Sequence, residues 1–207
     1  MFGCFRKEIN SVKDFEGLKI RTARVGGQVF QKLVAVPQQI AGVEIYPAME
    51  RGTIYACEWV GPYDDEKLGF NKVAKYYYTP GVMELEAVNQ IMVGKQPWAS
   101  LPPRYQAALR YAGNYAMTEM LASYDAKNAQ AIARLVASGT QLSVLPEDVI
   151  KALRGALEQV LDDEAAGNEQ FKKILANWRQ FRADQHRWFS IADTRAELAV
   201  YRTDPQR

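Results

Sequence analysis

Two places in the chain carry the residues with the most chemistry to offer. Arg21 lies near the end of Leu18-Lys19-Ile20-Arg21-Thr22, and Glu58-Trp59 follow the apolar run Thr53-Ile54-Tyr55-Ala56-Cys57. Both runs read as strands. An arginine fork matches a carboxylate bidentately, which lysine cannot do. Glu58 offers hard oxygen ligands or a hydrogen-bond acceptor, Trp59 a flat wall, and Gly61-Pro62 a turn of fixed direction. Glu58 alone would repel an anionic ligand. A hard cation such as Na⁺ or Ca²⁺ between Glu58 and a small carboxylate removes that conflict, because such ions take oxygen from side chain, backbone and ligand alike. Arg21 would then hold the carboxylate's other side. The competing reading is structural: Arg21 forms a salt bridge with Glu58 or Asp64, and the strand end is merely solvated. A third reading makes Glu58, Asp64 or Asp65 an acid or base toward a small carboxylate. It needs a partner of matched pKa, and no histidine or lysine pair is near in sequence. Arg24 and the Gly26-Gly27 pair at a helix start are weaker anion candidates.

The elements that must position these residues follow from the pattern. A helical turn spans Ser11 to Gly17. Strand, helix, strand, helix, strand from Leu18 to Cys57 reads as two βαβ units, hence a parallel sheet. Parallel strands place Arg21 and Glu58 at one edge, outside the carboxyl ends where open α/β sheets bind ligands. Gly52 stops the helix Glu44–Arg51. Further strands are expected at 1–5, 74–78, 86–93 and 140–145, and one helical turn at 64–68. The second half is helical: a short helix over 96–101, a long one over 103–137, then 147–166 and 169–200. The last carries Phe171, Ile174, Trp178, Phe181 and Trp188 on roughly one face, which reads as core or interface packing.

Composition excludes several classes. The chain has 207 residues, 48% hydrophobic and 24% charged, with a net charge of +2 and no block of like charge. No clustered basic face marks a nucleic-acid partner, and no apolar run approaches a membrane span. His186 is the single histidine, which leaves histidine-based triads and metal sites without support. Cys4 and Cys57 fit no metal spacing; of a disulfide and two small buried side chains, the second is the reading adopted. Met1 to Lys7 holds no signal-peptide core.

Several runs resemble a known family. Phe5-Arg6-Lys7-Glu8-Ile9, the Leu18–Arg21 strand with Gly26-Gly27, the stretch 44–54, Glu58-Trp59-Val60-Gly61-Pro62-Tyr63-Asp64-Asp65-Glu66-Lys67-Leu68-Gly69-Phe70, and Lys75-Tyr76-Tyr77-Tyr78 occur in order. They resemble the DctP-type solute-binding proteins of TRAP (tripartite ATP-independent periplasmic) transporters, in the subgroup that binds 2-oxo acids such as pyruvate. The resemblance implies a non-enzymatic periplasmic receptor with the α/β fold of type II periplasmic binding proteins. Here it implies one α/β lobe with a parallel sheet over 1–80. Residues 81–102 would be a crossing strand and short helix of the other lobe. Residues 103–207 would hold a long lobe-spanning helix, a short strand and C-terminal helices. By the same resemblance Arg21 holds the substrate carboxylate, Glu58 and Trp59 line the ligand, and the Glu58 side chain and Trp59 carbonyl ligate Na⁺ or another hard cation such as Ca²⁺. Membrane transporter subunits are the implied partners, with no nucleic acid and no organic cofactor. The aromatic stripe of the last helix carries a separate reading, a homodimer through the C-terminal helix or a helical dimerisation module without ligand.

Departures from the family pattern are expected to matter. Most of the first lobe and a signal peptide would precede Phe5, and one cation-ligating glutamine would fall before Met1. Cys4 stands where tryptophan is usual, and Val82-Met83 where an aromatic pair is usual. Tyr55 replaces a small acidic residue, and Arg24 replaces glycine. These point to the C-terminal part of a receptor, a truncated form with weak binding by itself and an exposed lobe surface.

Overall fold

A computed structural model describes residues 1–83 and 89–204. They group into two compact units, Met1–Ala156 and Leu157–Arg207. The first unit is built on one sheet of β1 (Gly3–Phe5), β2 (Lys19–Arg21), β3 (Val36–Gln38), β4 (Ala56–Cys57), β5 (Tyr76–Thr79) and β6 (Gln141–Val144). Their spatial order is β3-β2-β4-β1-β5-β6. β2 pairs parallel with β3 and β4, and β5 parallel with β6, whereas β1 is antiparallel to both β4 and β5. Five strands therefore run one way and β1 the other.

The βαβ units are as expected. Helix α1 (Arg24–Lys32) links β2 to β3, and α2 (Gly42–Glu50) links β3 to β4. Gly52, at φ +74°, occupies the left-handed position that ends α2. After β4, α3 (Pro62–Lys67) opens on a proline, where no N–H is needed. The Tyr63 N–H in its first turn donates to Asn128 Oδ1 at 3.1 Å. Asn128 belongs to α5 (Pro103–Ala137), a helix of 35 residues that follows the short α4 (Lys95–Ser100). At 1.5 Å per residue, α5 is about 50 Å long. Only its C-terminal end is buried, at Ala131 and Leu135. Arg134 on the same end grips Glu66 of α3 through two hydrogen bonds, at 2.8 and 2.6 Å.

Side chains alternate across the sheet. Phe5 and Tyr78 meet Phe2, Phe15 and Phe30 in an aromatic cluster. Their strand neighbours Cys4 and Tyr77 instead join Ile45, Met49, Ile54, Cys57 and Phe70 in a second buried cluster. Helix α6 (Glu147–Gly167) starts in the first unit and runs on into the second. The second unit adds α7 (Glu169–Ile191) and α8 (Asp193–Thr203). Asn168 caps α7 by accepting from the Phe171 N–H at 2.9 Å. Arg179 bridges Glu158 and Asp162, and Arg182 reaches Glu158.

Three expectations change. The parallel sheet expected over 1–80 takes in one antiparallel strand, β1, held between β4 and β5. The expected strand over 86–93 is not formed at 89–93, and residues 86–88 lie outside the described residues. The closing helix over 169–200 is two helices. Ala192, at φ −101° and ψ −99°, leaves helical conformation, and Asp193 starts a new first turn. Among the described residues, no helix is long and apolar enough to cross a membrane.

Candidate functional site

Adjacent strands β2 and β4 send their connections in opposite directions along the sheet, one to β3 and the other toward β5. Such a switch point opens a crevice at the carboxyl ends of the two strands. Arg21 ends β2 there, and Glu58 follows β4. The backbone locks the two together: Arg21 and Cys57 are in register, and the Glu58 N–H donates to the Arg21 carbonyl at 3.0 Å.

The Arg21 guanidinium is fixed from three sides. Its Nη1 donates to the Glu58 carbonyl at 2.9 Å, and its Nε to the Ile40 carbonyl at 3.2 Å. Its plane lies over the Trp59 ring, 4.6 Å from the centroid, a contact that is strengthened when desolvated. Nη2 takes no protein partner among the described residues. The Glu58 carboxylate approaches Nη1 at 3.8 Å, with the two side chains only 12% and 11% exposed. That distance is an ion pair without a hydrogen bond, so the salt bridge weighed from sequence is real but loose. The firm bonds of Arg21 go to carbonyls, and the Glu58 carboxylate is its nearby counter-charge.

Trp59 is held in turn by the start of α2. A Cβ at Gly42 would fall 2.7 Å from Trp59 Cη2. Only glycine there lets the indole lie flat under Arg21. The sequence reading missed Gly42 and Ile40, since neither carries a reactive group. The glycine directly before a helical run was the available signal.

The remaining candidates separate from this pair. Asp64 accepts the Tyr124 hydroxyl at 2.7 Å, which, with burial, pushes that phenol up to about 12. Asp65 is 3% exposed and accepts the Tyr77 hydroxyl at 2.6 Å. Burial pushes its carboxyl up to about 6, against the opposing pull of that hydrogen bond. A raised carboxyl can mark an acid catalyst, but this one sits under Tyr77 in the core. Gly26 and Gly27 lie inside α1, where a Cβ would meet Thr22 Oγ1 at 2.6 Å and Pro37 Cβ at 3.6 Å respectively. They allow the helix to pack on its strands. Arg24, at φ 38°, opens α1 and is exposed.

At this edge the nearly buried Glu58 carboxylate is the hard oxygen donor. Among the described residues, no group of three or more His, Cys, Asp or Glu gathers as a metal cluster. A carboxylate donor suits Na⁺ or Ca²⁺ and not a soft metal. Such ions take about six to eight oxygens, so most would come from the ligand, water or other chain.

Comparison with known proteins gives a consistent picture. Residues 1–168 match the family model of DctP, the bacterial extracellular solute-binding protein family 7. A monocarboxylate 2-oxoacid-binding periplasmic protein of Nostoc sp. is 41% identical over 188 residues, which are 91% of this chain and 52% of that protein. A TRAP transporter solute-binding protein of Bordetella bronchiseptica superposes with a TM-score of 0.90 at 45% identity, over 99% of this chain and 62% of its own. That crystal is described as a mixed-occupancy dimer with calcium and picolinate in one site and the other empty. The corresponding protein of Pseudoalteromonas atlantica, with sodium and pyruvate bound, gives 0.84 at 34% identity, over 95% of this chain and 60% of its own. The expected α/β fold of that receptor class is therefore present. The chain spans about half the length of the curated relative it matches.

Proposed function

Because the chain belongs to the bacterial extracellular solute-binding protein family 7, we propose that it helps capture a small 2-oxo acid, such as pyruvate, for a TRAP transporter. The family consists of binding proteins, so the task is recognition and release, not catalysis. Arg21 holds the ligand carboxylate through Nη2. The fixed guanidinium is the observation that carries this reading: two of its N–H groups are spent on carbonyls, its face rests on Trp59, the Glu58 carboxylate stands 3.8 Å from Nη1, and Nη2 makes no bond to a protein carbonyl among the described residues. Preorganisation of this kind lowers the entropic cost of binding. Glu58 and the Trp59 carbonyl hold the cation, whose charge lets a carboxylate ligand approach Glu58. Relatives with sodium and pyruvate, or calcium and pyruvate, support the pairing of ion and oxo acid.

The relatives are longer, and a ligand enclosed between lobes would need contacts from the length this chain does not span. Delivery to membrane subunits belongs to the same proposal, as does a dimer through α7. The test is titration of pyruvate followed by tryptophan fluorescence, with Trp59 as the reporter. Arg21→Ala should weaken binding by about 100-fold, the loss of a charge-assisted hydrogen bond. Replacing Na⁺ and Ca²⁺ by a bulky organic cation should weaken it too. Unchanged affinity in the variant rejects the carboxylate role, and unchanged affinity after the exchange rejects the bridging ion.

A further inference from the structure

Cys4 and Cys57 lie directly opposite each other on antiparallel β1 and β4. Residues so paired have Cα atoms about 4.5–5.5 Å apart and side chains on one face. A disulfide requires about 4.4–6.8 Å. Both side chains are buried, at 5% and 1% exposure, and both belong to one packed cluster. Both are free thiols in this structure. Cys57 lies close enough to Cys4 to push its thiol upward.

We propose that Cys4 and Cys57 are a disulfide site that bolts β1 to β4 in an oxidising compartment. The bond would end one residue before Glu58 and would tie the wall of the candidate site to the antiparallel strand. It acts on the strand and needs no ligand, so it is independent of the carboxylate reading. The oxidant is a small disulfide such as oxidised glutathione. One cysteine thiolate attacks it and expels one glutathione thiol, giving a mixed disulfide. The second thiolate attacks the protein sulfur of that mixed disulfide and expels the second thiol. Two protein thiols are oxidised by two electrons, and one small disulfide is reduced to two thiols.

In the folded chain this exchange is slow. Neighbouring Cys57, burial and the Asp65 carboxylate all push the Cys4 thiol well above its ordinary value, so little thiolate is present. The bond therefore forms while β1 is still undocked, during folding. Once formed it lies in the core, away from reductants.

The experiment refolds the full chain from urea in a glutathione buffer set to leave the urea-unfolded chain half reduced. Alkylation under denaturing conditions followed by intact mass counts the thiols, and an unreduced peptide map finds the link. The folded chain should show a dithiol-to-disulfide ratio at least about ten-fold lower than the unfolded chain, since the native fold favours a compatible cross-link. The map should hold one peptide pair joining Cys4 to Cys57 within a chain. An equal or higher ratio in the folded chain overturns the proposal, as do links found only between chains.

Discussion

Asp65 shows how a single residue can be read wrongly from its type. Beside Asp64, after a glycine-proline turn, it looks like a solvated acid or a catalyst. In the fold it is buried against Tyr77, and its proton is held more tightly than in the unfolded chain, at about 6 against an ordinary 3.8. The stability it contributes is fully present below the unfolded value. It is lost as pH rises through about 6, where the folded state must carry a buried carboxylate. The swing is on the order of 3 kcal/mol. Asp65→Asn keeps an acceptor for the Tyr77 hydroxyl and removes the titration. Urea denaturation between about pH 4 and about pH 7.5 should show the parent losing stability relative to this variant. A difference that stays flat with pH would refute the assignment. Arg21 is the opposite case, since its position at a strand end was legible from the Leu18–Thr22 alternation. That it would spend Nε and Nη1 on the Ile40 and Glu58 carbonyls was not, because carbonyls belong to every residue.

At the level of elements, β1 is the part that sequence placed without orienting. Its apolar residues signal a strand, but strand direction is set by partners far away in the chain. Gly3 shows how close those partners come. It sits at φ +144°, and a Cβ there would fall 2.4 Å from the Cys57 carbonyl oxygen. Gly3→Ala should therefore cost about 3 kcal/mol or more, from backbone strain plus a clash against main chain that cannot rotate aside. Thermal or urea unfolding measures it, and a loss below about 1 kcal/mol would show that β1 is not packed this closely. Helices α1 and α2 were readable because their signals are local: a periodic apolar face, and Gly52 as a stop. The break at Ala192 was not readable, since alanine carries no signal against helix.

At the level of the whole molecule, α7 presents Ile174, Trp178, Phe181 and Trp188 to solvent at 61%, 43%, 61% and 57% exposure. Exposed aromatics in such a row mark interaction surfaces, and the Bordetella bronchiseptica relative is described as a dimer. If α7 forms the dimer face, sedimentation should give a dimer for the parent chain and a monomer for Phe181→Asp with Trp188→Asp. A monomeric parent, or a variant that remains dimeric, would reject it.

The sequence by itself determined the βαβ order, the edge at which Arg21 and Glu58 meet, and the family, because each rests on short patterns and on runs of identity. Only the tertiary structure decided that β1 runs against the sheet, that Asp65 is core, and that Cys4 faces Cys57. Each of these depends on which distant residues a strand lies beside. Local periodicity says which way a side chain alternates, but register and burial are set by the partner across the gap.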